Sequence, residues 1–299
     1  MRDHSDSSYV LTTLNGWSII IHPEVDLEEV FDLLFKEGRL QVYDGSRMRR
    51  VKSNRKACIY KTILTFRDMP ASVYVKRFHL HSTWCFVNRM FRAGRAKKAF
   101  EATIMLRECG FDVAKPLVIL ERSIGPFRTE SIFITKEVQN SVQLSRKLQE
   151  LSADSSTFNL RQKRKLISEF GKIVGKLHNK KILHGDLRPR NVLVQKKDNY
   201  WSFWLIDNER TKRFSRFTDN LARKNLVQMI NVRIHASYTD RMRFMRAYGQ
   251  ERGLTKSKVK EVARAAMERI WWRKLGKIMK NPIKEYKKRY GKVLSKKSF

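Results

Sequence analysis

ILHGDLRPRNVLV (residues 182–194), followed by WSFWLID (residues 201–207), decides the reading of this chain. Val192–Val194 and Trp201–Ile206 are β-rich runs, and Lys196 to Tyr200 reads as a turn with Asp198-Asn199 at its tip. A hairpin centred near Asn199 sets residue 191 roughly opposite residue 207. Asn191 and Asp207 then meet at its open end, and Asp186 lies on the loop that enters it. Two carboxylates and one amide converge. Oxygen donors of this kind suit magnesium, which takes its remaining ligands from phosphates and water. Phosphoryl transfer needs such a metal and a carboxylate that orients the attacking hydroxyl and accepts its proton. A lone HxD loop is weak, because Asp is common in turns. HxDxxxxN followed by a hairpin that ends apolar-apolar-Asp is much more specific.

Upstream of this stretch, Arg161 to Leu177 is the clearest helix, with Leu166, Ile167, Phe170, Ile173, Val174 and Leu177 in one apolar stripe. A helix is also expected over Val142–Leu151, before the polar loop SADSST. Further back, Tyr9–Ile21 suggests strands turning at Asn15-Gly16, and Val25–Lys36 a short helix. Ala57–Phe66 and Ala71–Phe78 read as strands joined by the turn Arg67-Asp68-Met69-Pro70. In the second of them Val73, Val75 and Arg77 face one side, Tyr74 and Lys76 the other. Ala93–Cys109 reads as a helix stopped by Gly110, with Glu101, Ile104, Met105 and Glu108 on one face. Strands at Leu117–Glu121 and Ser131–Thr135 follow. The expectation is an α+β, two-lobed protein: a small β-rich N-terminal lobe with one main helix over 1–138, and a larger, mainly helical C-terminal lobe over 139–299.

The 299 residues hold 64 Lys and Arg against 29 Asp and Glu, a formal net charge of +35. Such a field favours an anionic partner: nucleic acid, anionic lipid or a phosphorylated substrate. Cys58, Cys85 and Cys109 lack CxxC spacing, which argues against a zinc site or a disulfide framework and for a reducing compartment. No apolar run is long enough for a transmembrane helix, and MRDHSDSSYV lacks a signal-peptide core, so a cytoplasmic protein is expected.

HGDLRPRN, then LIDNER, with VYVKRF upstream, resemble the protein-kinase-like fold. More narrowly they resemble the bacterial lipopolysaccharide kinase (Kdo/WaaP) family, which phosphorylates Kdo or heptose of the inner core. KKAFEATIMLRECGFDVAKPL, SIFITKEVQNSVQL and NLARKNLVQMINVRIHASYTDRMRFMRAYG extend that likeness over about Lys52 to Gly249. The resemblance implies ATP and magnesium as cofactors and a lipopolysaccharide inner-core acceptor. It makes Asp186 the catalytic base, braced by His184, and gives Asn191 and Asp207 the metal. Arg188 could set a cation against the transferred phosphate or be a solvated arginine. Lys76 would contact the α/β-phosphates and pair with Glu101, or with Glu108 as second choice. Glu137 and Val138 would offer backbone groups to the adenine.

Departures from the kinase pattern are informative. No GxGxxG precedes Lys76; the phosphate-covering loop would be KSNRKA, residues 52–57. Asp207-Asn208-Glu209 replaces DFG, no APE follows, and Gly185 replaces the Arg of HRD. Regulated protein kinases switch through those pieces, so a small-substrate or glycan kinase fits better. Alternative readings are a protein Ser/Thr/Tyr kinase, an aminoglycoside-like small-molecule kinase, or a non-catalytic nucleic-acid-binding protein. The last lacks any RRM, zinc-finger or zipper pattern. Arg252 to Phe299 carries 17 Lys and Arg against 3 acidic residues. A stripe from Val259 through Ala266 and Ile270 to Met279 would pack inward, while Trp271-Trp272 puts at least one indole elsewhere. This region is expected to hold the protein peripherally on the anionic cytoplasmic face of the inner membrane.

Overall fold

The computed structural model describes residues 9–36, 39–40, 48–54, 57–79, 94–124, 127–154, 156–230 and 236–272. The chain forms two compact units: residues 1–143 with 184–186 and 191–212, and residues 144–183 with 187–190 and 213–299. The hairpin that carries Asn191 and Asp207 therefore belongs to the β-rich unit. The sequence-based division at residue 138 had assigned it to the helical half.

In the β-rich unit seven strands form one antiparallel sheet: β1 (Val10–Leu14), β2 (Trp17–Ile21), β3 (Arg49–Asn54), β4 (Ala57–Phe66), β5 (Met69–Phe78), β6 (Pro116–Ile124) and β7 (Phe127–Lys136). Their order is β1-β2-β6-β7-β5-β4-β3. Asn15 and Gly16 both adopt positive φ in the β1–β2 turn, and Arg67 and Asp68 do so between β4 and β5, the geometry that two-residue hairpins prefer. The second turn is thus two residues shorter than its composition suggested. Met69 and Pro70 already pair with Phe66 and Thr65. In β5, Ala71, Val73 and Val75 are buried, as the alternation requires. Arg77 leaves the pattern and pairs with Glu130 at 3.0 Å.

One face of the sheet buries Trp17, Ile19, Tyr60, Leu64, Val73, Val75 and Ile134 against Val30 and Leu34 of helix α1 (Leu27–Leu34). Asp26 caps that helix by accepting from the Glu28 N–H at 2.9 Å. Helix α2 (Arg95–Glu108) packs Ala96 and Ala99 into a second cluster with Ala57, Phe78, Ile119 and Phe133. It ends at Gly110, whose φ of 84° is the left-handed conformation typical after a helix terminus.

A smaller sheet carries the hairpin: β8 (Val192–Lys197) pairs antiparallel with β9 (Tyr200–Leu205). The two-residue strand Val142–Gln143 flanks β8, and Asp112–Val113 runs parallel to β9.

The helical unit contains α3 (Leu144–Ala153), α4 (Thr157–Asn179), α5 (Asp219–Ile230), α6 (Tyr238–Glu251) and a helical stretch, α7, over 256–272. Helix α4 starts four residues before the expected Arg161, because Ser156 accepts from the Asn159 N–H and fixes the N-terminus there. Helices α4 and α6 approach closely at two glycines one turn apart. A Cβ on Gly171 would lie 2.6 Å from the Phe244 carbonyl oxygen, and one on Gly175 would lie 2.7 Å from the Glu251 side chain. At the C-terminal end of α4, buried His178 sits 2.9 Å from the Tyr248 hydroxyl and 3.2 Å from Asn225 Oδ1. Burial, only partly offset by Asn225, lowers the His178 pKa to about 3. Burial also raises Tyr248 to about 12.

In α7 Ala266 and Ile270 are buried, but Met267 beside them is exposed, and so are both Trp271 and Trp272. Residues 273–299, including the rest of the expected stripe, lie outside the described part, as does Cys85. Cys58 and Cys109 are free thiols. Among the described residues no helix is long and apolar enough to cross a membrane.

Candidate active site

The β8–β9 register sets Lys197 opposite Tyr200 and Val192 opposite Leu205. The turn is the two residues Asp198-Asn199, so its centre falls half a residue before Asn199. Asn191 consequently meets Ile206 instead of Asp207, and the Ile206 N–H donates to the Asn191 carbonyl at 3.1 Å. Asp207 is the first residue beyond the ladder, with φ 64° and ψ 46°. Among non-glycine residues, Asp and Asn enter that left-handed region most readily, so a carboxylate can stand here at little backbone cost.

Asp186 and Asn191 are joined directly. The Asn191 amide nitrogen donates to the Asp186 backbone carbonyl at 2.8 Å and to its Oδ2 at 3.0 Å. This orientation leaves the Asn191 amide oxygen as the atom that can face a cation. His184 is fully buried. Its Nδ1 accepts from the Asp186 N–H at 3.3 Å, which ties the entrance of the loop to its carboxylate. Burial lowers the His184 pKa, against the opposing pull of Asp207 and Asp186, so a neutral ring braces the loop.

Lys76 projects from β5, and its Nζ donates to Asp207 Oδ1 at 2.5 Å. Burial works against the Asp207 charge, but the Lys76 ammonium outweighs it and holds this carboxyl below the usual range. The Lys76 partner is therefore not Glu101. That residue is exposed on α2, whose buried positions are Ala96, Ala99, Ala102, Thr103 and Leu106. Glu108 is exposed as well. The second carboxylate beside Lys76 is Glu209, 3.9 Å away and 12% exposed. Glu209 accepts from Arg95 at the start of α2 at 2.9 and 3.0 Å. Lys76 and Arg95 both lie over the ring of Phe78, at 4.8 and 4.6 Å from its centroid. The face of α2 toward this corner was legible in its spacing: residues 96, 99, 103 and 106 recur at helical intervals, leaving Glu101 on the opposite side.

Gly185 stands where kinases carry the arginine of HRD because the chain returns over it. A Cβ there would lie 2.4 Å from the Arg210 carbonyl oxygen. Arg188 is exposed and belongs to the segment 187–190 of the helical unit.

After β7, the Glu137 N–H is consumed by the Ser72 carbonyl at 2.8 Å, and the Val138 carbonyl accepts from the Ser141 hydroxyl at 2.6 Å. Among the described residues the Glu137 carbonyl and the Val138 N–H make no backbone hydrogen bond outside the ladders. The Glu137 side chain is committed to Lys61 and to the Tyr74 hydroxyl. These contacts hold its carboxyl below the usual range despite burial. The proposed phosphate-covering segment forms the end of the β3–β4 hairpin, with Asn54 paired to Ala57; residues 55–56 lie outside the described part.

Among the described residues no group of three His, Cys, Asp or Glu forms a metal site. The hairpin ends and the loop before them carry two carboxylates, Asp186 and Asp207, and the Asn191 amide oxygen. All are hard oxygen donors, so the set fits magnesium and does not resemble a zinc site.

Residues 41–248 match the model of the lipopolysaccharide kinase (Kdo/WaaP) family. A 3-deoxy-D-manno-octulosonic acid kinase of Actinobacillus succinogenes is 28% identical over 115 residues, 38% of this chain and 43% of that protein. One of Pasteurella multocida is 25% identical over 141 residues, 44% of this chain and 54% of that protein. The chain thus spans about half the length of the curated relatives it matches. A solved structure of WaaP in complex with acyl carrier protein aligns with a TM-score of 0.56 at 19% identity, covering 82% of this chain and 97% of that one. This likeness concerns the fold.

Proposed function

The chain belongs to the lipopolysaccharide kinase (Kdo/WaaP) family, and from that premise we propose that it transfers the γ-phosphate of ATP to a hydroxyl of Kdo in the lipopolysaccharide inner core. The observation that carries this reading is a pair of contacts at the open end of one hairpin, Lys76 with Asp207 and Asn191 with Asp186. Kdo is preferred over heptose because the curated relatives carry that name.

In this reading Asp186 accepts the proton of the acceptor hydroxyl as its oxygen attacks phosphorus, and ADP leaves on the opposite side. Asn191 holds Asp186 in place through its amide nitrogen, and its amide oxygen, together with Asp207, would hold magnesium. Bound magnesium would neutralise charge on the phosphate oxygens. Lys76 moves its ammonium from Asp207 to the α/β-phosphates. The Glu137 carbonyl and the Val138 N–H take the adenine edge.

The basic C-terminal region, with exposed Trp271 and Trp272, supports recruitment to an anionic membrane surface on the cytoplasmic side. Sedimentation with anionic liposomes tests this; equal binding to neutral liposomes removes it. The acceptor is tested with radiolabelled ATP and purified core acceptors. Incorporation into Kdo-terminated lipid above heptose-terminated lipid is expected. Transfer to heptose alone, or only to protein or an aminoglycoside, overturns the assignment.

A further inference from the structure

Lys76 needs a carboxylate partner whenever its Asp207 contact is given up to a metal. Protein kinases place that partner on the helix, but the inward face of α2 here is Ala96, Ala99, Ala102, Thr103 and Leu106, without an acid. Glu209 is the acidic side chain that remains beside Lys76. It is 12% exposed, lies 3.9 Å from the ammonium, and belongs to the short helical turn Asn208–Arg210 directly after the candidate metal ligand. Two further contacts fix that turn to α2. Arg95 holds both Glu209 oxygens, and the Asn208 amide donates to Thr103 Oγ1 at 3.2 Å.

We propose that Glu209 is the positioning residue for Lys76, doing from the turn after Asp207 what a helix glutamate does elsewhere, with Arg95 as its tether to α2. This rests on the kinase reading above. Two cations over Phe78, Lys76 and Arg95, face two carboxylates, Asp207 and Glu209, and Arg210 lies 3.8 Å from Glu209 as well. When Asp207 turns to the metal, Glu209 keeps the ammonium from being left unpaired in a half-buried site. Leaving a charge unpaired there carries a large penalty. Arg95 then prevents Glu209 from following Lys76 outward, so the ammonium is held at a defined distance from the phosphates. The Asp207-Asn208-Glu209 triplet thus differs from DFG for a reason: its third position carries the carboxylate that α2 lacks.

Calorimetric titration of Mg·ATP into wild type, Glu209→Gln, Glu209→Asp and Glu101→Gln tests this, with steady-state kinetics of transfer alongside. Glu209→Gln is expected to weaken Mg·ATP binding and raise KM for ATP by about tenfold, with the smaller change in kcat. Glu209→Asp should recover part of the loss, and Glu101→Gln should lose less than Glu209→Gln. The reverse ranking of Glu209→Gln and Glu101→Gln, or unchanged binding in a folded Glu209→Gln protein, overturns the proposal while leaving the kinase reading standing. Failure of the wild type to bind Mg·ATP would overturn that reading, and this inference with it. If Glu209→Gln does not fold, Arg95→Gln, which frees Glu209 without removing its charge, must show the same rise in KM.

Discussion

Two polar clusters, one in each unit, differ in how they meet burial. In the β-rich unit Lys76, Arg95, Asp207 and Glu209 are paired across short distances and partly open to solvent. In the helical unit His178, Tyr248 and Asn225 are neutral, hydrogen-bonded and closed. Burial decides the second cluster: it moves His178 and Tyr248 in the directions that remove charge. In the first cluster the Lys76 ammonium overrules burial and keeps Asp207 anionic. Charge kept against desolvation is what a metal and a polyphosphate can use. Neutral groups satisfied by one another serve packing.

Three experiments test this contrast. The largest effect is expected for Asp207→Asn, which keeps the shape and removes the charge. Transfer should fall by roughly a thousandfold or more, and half-saturating magnesium should rise, while thermal stability changes little. A variant that keeps near-wild-type turnover would place the metal elsewhere. Gly185→Ala probes the loop behind the site. Its new methyl meets the Arg210 backbone, so a loss of about 1–3 kcal/mol is expected in urea unfolding, together with reduced turnover. Unchanged stability and activity would show that the return of the chain over Gly185 does not matter.

The smallest effect belongs to the neutral cluster. His178 resists protonation down to about pH 3 when folded, whereas an unfolded histidine takes its proton near pH 6.5. The unfolded state therefore binds more protons between those values, and stability rises with pH through that window. It is complete above pH 6.5 and drains as pH falls. Between pH 7 and pH 5 the wild type should lose about 1–2 kcal/mol more than His178→Gln, since each unit of pH is worth at most about 1.4 kcal/mol per group. Parallel unfolding curves for the two proteins would contradict a neutral, buried His178.

Much of this contrast is readable from residues alone. The hairpin is legible because β-branched and aromatic runs flank a strong turn, and its register errs by one residue because a two-residue turn has no central residue. That one residue matters, since a ladder to Asp207 would have hidden its left-handed backbone. The α4 stripe is equally plain, but its start depends on Ser156, a capping residue inside a polar loop that gives no apolar signal. Helix α2 misleads because motif spacing drew attention to Glu101, while the small-residue stripe of Ala96, Ala99 and Ala102 marks the opposite face as the buried one. The pairing of Glu209 with Arg95 spans 114 positions in the chain, and no local pattern announces a contact at that separation. The assignment of the hairpin to the β-rich unit is a tertiary outcome of the same kind. The parallel pairing of β9 with Asp112–Val113 is one of the hairpin's contacts, made through a strand too short to carry a periodic signal.

In the proposed reaction Asp186, held by Asn191, would remove the proton from a sugar hydroxyl while Lys76 and Asp207 would manage the phosphates. The direct measurement is single-turnover transfer of radiolabelled phosphate from ATP to a Kdo-terminated acceptor by wild type and Asp186→Ala, at saturating Mg·ATP. The account predicts that Asp186→Ala binds Mg·ATP within about threefold of wild type but transfers at least a hundredfold more slowly. Equal transfer rates in the two proteins would contradict it.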